Sequence, residues 1–304
     1  MSTPNTTRPF PWYYRPLEWL LLGLASLPWA VLYGLSAVLY FLMAYVVRYR
    51  RRVIRVNLRN SFPEKPETEI QQLMRDFYRH FAEVMVEILK LAVMPNAELL
   101  SRVQLRNAEL LDRWLAEGRL ALALGSHTGN WEWILTAGAL RLRQGTMDGV
   151  YKPLMNPFFE HFLYRLRTRT GAQLVPMREV LRHLVRHRNE ARVLSLLSDQ
   201  AAGPEDKPYW TTFLHQDTSF YTGADRLAAQ FNCPVAYVNI RRLRRGHYEL
   251  AVTEIHDGNT PLDKNATVIT EAFARLLERD IQTSPADYLW SHRRWKHKRS
   301  EVVK

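Results

Sequence analysis

The chain has 304 residues, 47% of them hydrophobic, which excludes a disordered polymer and allows one large domain or two small ones. A formal net charge of +12 calls for an anionic partner: nucleic acid, an anionic membrane surface or an acidic carrier protein. The single cysteine, Cys233, excludes an internal disulfide and any multi-cysteine zinc site, and reads as a buried thiol before a strand.

Residues 1–16 are polar and rich in Pro and Thr, and read as a flexible tail. From Trp19 to Val47 no residue is charged. The run exceeds the roughly 20 residues that cross a bilayer, and it is too long for a signal-peptide core. Pro28 is expected to kink it, leaving a tilted or re-entrant helix open. Aromatic residues cluster at both ends (Trp12, Tyr13, Tyr14, Trp19; Tyr40, Phe41, Tyr45), as in an interfacial belt. The basic stretch Arg48–Arg59 follows directly. By the positive-inside rule this flank is cytoplasmic, which holds the rest of the chain against anionic headgroups. Arginines abutting such a segment argue against nucleic acid as the partner. The expected division is a tail (1–16), a hydrophobic helix with a basic juxtamembrane segment (17–60) and a catalytic domain (61–304).

Apolar residues recurring at three and four predict a long helix from Glu67 to Val93. A short strand near Val103 and a helix from Ala108 to Glu117 follow. Next comes the stretch with the most chemistry in it, Leu122 to Glu132, L-A-L-G-S-H-T-G-N-W-E. The apolar run Leu120–Leu124 reads as a buried strand that stops at Gly125, and helical character starts at Trp131. His127 therefore sits at a strand end, where open α/β sheets bind ligands. On one continuous helix, His127 and Glu132 would lie roughly 140° apart. Across a strand-to-helix turn, the carboxylate is free to fold back onto the imidazole. A carboxylate on one ring nitrogen leaves the other to deprotonate a hydroxyl. From spacing alone, a surface histidine near a helix-capping glutamate is the readier reading, and the rest of the chain reverses it. Ser126 lacks the G-x-S-x-G surroundings of a nucleophile elbow, and neither H-E-x-x-H nor paired cysteines point to zinc.

Beyond Glu132, strands (148–151, 173–176, a strand ending at Asp199, 234–240, 247–255) alternate with helices (157–169, 178–188, 222–231, 265–282). A proline- and aromatic-rich loop is expected over 201–221. This alternation predicts an α/β fold with a mixed, mainly parallel sheet flanked by helices, preceded by an N-terminal membrane helix.

Four stretches together resemble one family, the late acyltransferases of lipid A biosynthesis within the lysophospholipid acyltransferase superfamily. They are H-T-G-N-W-E; Y-K-P-L-M-N-P (151–157); S-D-Q (198–200) with the later T-G-A-D-R-L-A; and P-A-D-Y-L-W-S-H-R-R-W-K (285–296). The likeness covers about Leu17 to Arg299 and implies a glycerolipid-acyltransferase-like fold. It implies that His127 is the catalytic base and Glu132 its charge partner. Lys152 and Asn156 correspond to the block lining the substrate groove, where Lys stands for the usual Arg. Asp199 corresponds to an acidic residue near the reacting centre, and Arg293 and Arg294 to a C-terminal basic pair. Asn130 and Gln200 are placed with these among the substrate-contacting residues. Asp199-Gln200-Ala201-Ala202 replaces the E-G-T-R-like block of glycerol-phosphate enzymes, which disfavours a simple glycerol-phosphate acceptor.

The implied reaction moves a fatty acyl chain from acyl carrier protein to a hydroxyl of a lipid A precursor at the inner membrane. It needs no metal, cofactor or covalent acyl-enzyme, and backbone N–H groups near Gly129 and Asn130 would hold the oxyanion. The alternatives are a lysophospholipid or aminolipid acceptor, or a membrane-anchored binding protein without catalysis.

Overall fold

The computed structural model describes residues 11–263 and 265–299, so residues 1–10 of the expected tail lie outside the described residues. The apolar run forms two helices, α1 (Arg15–Ser26) and α2 (Trp29–Phe41). Leu27 (φ −60°, ψ 150°) and Pro28 (φ −57°, ψ 149°) are both extended between them. Proline has no N–H to donate, and its ring disfavours helical geometry in the residue before it. Lys90 Nζ donates to the Leu27 carbonyl at 3.0 Å, satisfying an acceptor at the break. A π-helical turn, Leu42–Val46, prolongs α2. Among the described residues, Trp29–Val46 is the one helical stretch long and apolar enough to cross a membrane, and only 17% of it is buried. Trp19, Leu20, Val31, Val38 and Phe41 remain exposed.

α3 (Arg51–Ser61) buries Ile54, Asn57, Leu58 and Ser61 at helical spacing and turns its arginines outward. α4 (Glu67–Leu91) follows as expected, with Ile70, Met74, Phe77 and Val84 in the core. α5 (Asn96–Arg102), β1 (Val103–Arg106), α6 (Glu109–Ala116), β2 (Leu120–Gly125) and α7 (Glu132–Arg141) come next. They lead into β3 (Thr146–Tyr151), α8 (Pro157–Thr168), β4 (Gln173–Pro176), α9 (Val180–Arg186) and β5 (Arg192–Leu197). The chain closes with β6 (Tyr209–Phe213), β7 (Gln216–Phe220), α10 (Gly223–Phe231), β8 (Val235–Arg244), β9 (His247–His256) and α11 (Val268–Thr283).

Seven strands form one sheet in the order β1-β9-β8-β2-β5-β3-β4. Every pairing is parallel except the hairpin β8–β9. Successive side chains of β2 point to opposite faces. Leu120, Leu122 and Leu124 join one core layer with Phe273 and Leu277 of α11, while Ala121 and Ala123 join the other with Trp133 and Ala137 of α7. Both faces are covered, which is why β2 reads as an unbroken apolar run. The architecture is the mainly parallel α/β sheet expected.

The stretch 201–221 is more ordered than a loop, because β6 and β7 pair as an antiparallel hairpin. Its two turn residues, Leu214 (φ 48°) and His215 (φ 63°), both take the left-handed conformation. Glycine or asparagine normally signals such a turn, and neither is present. Here tertiary contacts impose it: Leu214 is fully buried, and its N–H donates to Glu278 Oε1 at 2.5 Å.

Candidate active site

β2 and β5 are neighbours in register, with Gly125 opposite Leu197. Ser198 N donates to Gly125 O at 3.0 Å and carries the pairing one residue further. His127 and Asp199, each two residues past its own strand, thus emerge side by side at the carboxyl end of the sheet. The loop after β2 is clamped from its other side. Leu289 N donates to His127 O at 3.0 Å, Gly129 N donates to Asp287 O at 2.9 Å, and Thr128 bridges Tyr288. Gly129 has φ +51°, and a Cβ there would stand 2.5 Å from the Ile240 carbonyl oxygen, so only glycine fits.

His127 Nδ1 and Asp199 Oδ1 are 2.7 Å apart. An ionised carboxylate only accepts, so Nδ1 carries the proton and the lone pair is on Nε2. Nε2 lies 3.4 Å from Gln200 Nε2, and the Trp131 ring sits 5.6 Å from the imidazole. Asp199 is 3% exposed and the His127 side chain 15%. Burial opposes charge on His127, but the negative charge and hydrogen bond of Asp199, with a smaller contribution from Glu132, raise its pKa above 6.5. Burial likewise disfavours the Asp199 carboxylate, yet His127 and the nearby Arg294 guanidinium hold it below the usual range. Burial drops the neighbouring His292 to about 4, so it stays neutral.

The carboxylate bonded to His127 is therefore Asp199, not Glu132. Glu132 opens α7, and its carboxylate points across to α8, where Arg167 grips it with bonds of 2.6 and 2.8 Å. The expected place of Gly129 in an oxyanion pocket also needs correction, because its N–H is spent on Asp287. Asn130 faces the interior rather than a groove. It is fully buried, and its Nδ2 donates to Glu87 Oε2 at 3.0 Å. Glu87, itself buried, also accepts from Tyr248 (2.6 Å) and from Tyr33 of α2 (3.1 Å), tying the apolar helix to the loop that carries His127.

Lys152 is exposed just past β3. Asn156 caps α8, accepting from Phe158 N (3.0 Å) and Phe159 N (3.2 Å), a role asparagine favours. Arg294 is buried over the Phe220 ring, 4.4 Å from its centroid, whereas Arg293 is exposed. The sequence reading did not single out Arg167, Glu87 or His292. A carboxylate in the first turn of a helix is already favoured by the helix dipole, so the sequence around Glu132 carried no signal of Arg167.

The fold and this pair define the class: an α/β enzyme with a buried histidine–aspartate couple at the carboxyl end of its central strands. The family model for the bacterial lipid A biosynthesis acyltransferases matches residues 12–297, and the chain belongs to that family; it is an acyltransferase. It is 24% identical over 289 residues to the lipid A biosynthesis lauroyltransferase of Escherichia coli (strain K12), covering 92% of this chain and 91% of that protein. It is 23% identical to the lipid A biosynthesis palmitoleoyltransferase of the same organism over 285 residues, with the same two shares. With the lipid A biosynthesis acyltransferase of Haemophilus influenzae (strain ATCC 51907 / DSM 11121 / KW20 / Rd) it shares 22% identity over 302 residues, 96% of this chain and 94% of the relative.

Proposed function

We propose that this acyltransferase moves a fatty acyl chain from the thioester of acyl carrier protein to a hydroxyl of a lipid A precursor, with His127 as general base. The observation that carries the mechanism is the 2.7 Å bond from His127 Nδ1 to Asp199, which puts the lone pair on Nε2, where only a long 3.4 Å contact from the Gln200 amide competes for it. As the acceptor oxygen attacks the thioester carbonyl, its proton passes to His127 Nε2. The imidazolium that forms is stabilised by Asp199 and by the nearby charge of Glu132. The tetrahedral intermediate collapses, the C–S bond breaks, and the proton leaves with the thiol.

Glu132 keeps a positioning role in this scheme. Its ion pair with Arg167 fixes the start of α7 beside the base. The exposed apolar faces of α1 and α2 dock the enzyme on the membrane, and the arginines of α3 hold it to anionic headgroups on the cytoplasmic side of the inner membrane. The +12 net charge suits an acidic carrier as donor. The test is acyl transfer from labelled acyl carrier protein to a lipid A precursor, run beside lysophospholipid and aminolipid acceptors. His127→Ala should lose about 10³-fold or more in rate with the fold retained, as expected on removing a general base. Near-normal turnover would sink the mechanism, and product on another lipid only would move the acceptor.

A further inference from the structure

A groove of about 540 Å³ runs between α3 and the C-terminal segment, and its lining includes Arg52, Val53, Val56, Arg293, Trp295 and Lys296. We propose that it holds a phosphate-bearing sugar, the headgroup of the acceptor lipid. This rests on the reading of the chain as an acyltransferase with a glycolipid acceptor, and it assigns a separate place to the part of that lipid that does not react.

Three observations converge. First, Arg52, Arg293 and Lys296 make no ion pair among the described residues, whereas cations nearby are satisfied. Arg55 and Arg59 pair with Glu67 at 2.9 and 3.6 Å, and Arg299 pairs with Asp217 at 2.8 Å. No carboxylate among the described residues lines the groove, to which Arg52, Arg293 and Lys296 bring three positive charges, a setting that favours an anion. Second, the floor between them is rigid and aromatic. Trp295 Nε1 donates to Thr218 Oγ1 at 2.8 Å, and the ring lies nearly parallel to Phe213 (27°, centroids 6.4 Å apart). A fixed indole with apolar valines beside it presents a flat surface to the C–H face of a sugar ring. Third, the groove is tethered to the reacting centre. Leu289 bonds the backbone of His127, and Arg293 follows four residues later, a span of at most about 14 Å of extended chain. Asn57 of α3 donates to the Trp290 and His292 carbonyls, both at 2.9 Å, which fixes α3 to that same segment. A headgroup seated in the groove therefore leaves an attached acyl chain within reach of His127.

The experiment uses the full chain in detergent and two acceptors: an acylated glucosamine disaccharide carrying phosphate, and the same lipid with its phosphate removed. For the Arg52→Gln/Lys296→Gln variant, KM for the phosphorylated acceptor should rise at least about tenfold, the loss expected for one charge-assisted contact, with kcat unchanged. KM for the dephosphorylated acceptor should not move. An equal rise for both acceptors, or for neither, overturns the proposal.

Binding is also read without turnover, as retention of His127→Ala protein on vesicles of phosphatidylcholine doped with either glycolipid or with phosphatidylglycerol. Retention by the phosphorylated glycolipid beyond that by phosphatidylglycerol, with the excess lost in the double variant and unaffected by added inorganic phosphate, supports the site even if the chemistry assigned to His127 fails. Equal retention by phosphatidylglycerol reduces the groove to general adhesion to anionic membrane. Displacement of the glycolipid by inorganic phosphate makes it a free-phosphate site. Either result overturns the proposal.

Discussion

Replacing Asp199 by Asn separates the two carboxylates near His127. Asparagine keeps the shape and removes the charge. At an effective dielectric constant of about 20, unit charges about 4 Å apart attract by about 4 kcal/mol, and a pKa unit corresponds to about 1.4 kcal/mol. Losing that attraction and the hydrogen bond that goes with it lowers the His127 pKa. Burial lowers the His127 pKa and Asp199 raises it, so removing the Asp199 charge leaves burial less opposed and the pKa falls. The base must be neutral to act, so the acid limb of kcat/KM should move to lower pH in Asp199→Asn.

The rate on the plateau should fall as well, by about 10²–10⁴-fold. An amide can turn its NH₂ toward Nδ1, which selects the tautomer with the proton on Nε2 and removes the base. The assay is acyl transfer from carrier thioester followed from pH 5 to 9 for wild type, Asp199→Asn and Glu132→Gln. Glu132→Gln should shift the limb less, since its carboxylate is bonded to Arg167. An unmoved limb in Asp199→Asn with a large shift in Glu132→Gln would show that Glu132 is the partner in solution and refute the reasoning.

Two further outcomes are expected. Gly129→Ala should destabilise the protein by at least about 2–3 kcal/mol in chemical denaturation, because alanine resists φ +51° and its Cβ would meet the Ile240 carbonyl at 2.5 Å; a wild-type midpoint would mean that the loop is not held as described. Arg167→Met leaves Glu132, 8% exposed, without its cation, and should cost about 2–3 kcal/mol once the partial exposure of Arg167 is discounted. Adding Glu132→Gln should recover much of that stability, and a double variant no more stable than the single one would argue against coupling between the two.

The sequence by itself determined the local elements and the first half of the site. The apolar run of β2 ends at Gly125 because both faces of the strand are covered, and the polar turn after it places His127 at a strand end whatever the rest of the chain does. The break at Pro28 was legible for the same kind of reason, since a proline acts on its own backbone. The three-and-four spacing fixed α4. Such signals lie within a few residues of what they specify.

Only the tertiary structure decided the partner of His127. Asp199 lies 72 residues away in the chain, and it meets the imidazole because β5 pairs beside β2 in one register. Strand order leaves no mark in either strand, so the sequence pointed to the nearby Glu132 as the partner rather than the distant Asp199. The hairpin β6–β7 stayed hidden because its left-handed turn is enforced by the burial of Leu214 and its bond to Glu278, not by turn residues. The groove between α3 and the C-terminal segment joins arginines 241 residues apart, Arg52 and Arg293, and charge converging from separate elements exists only once those elements are packed.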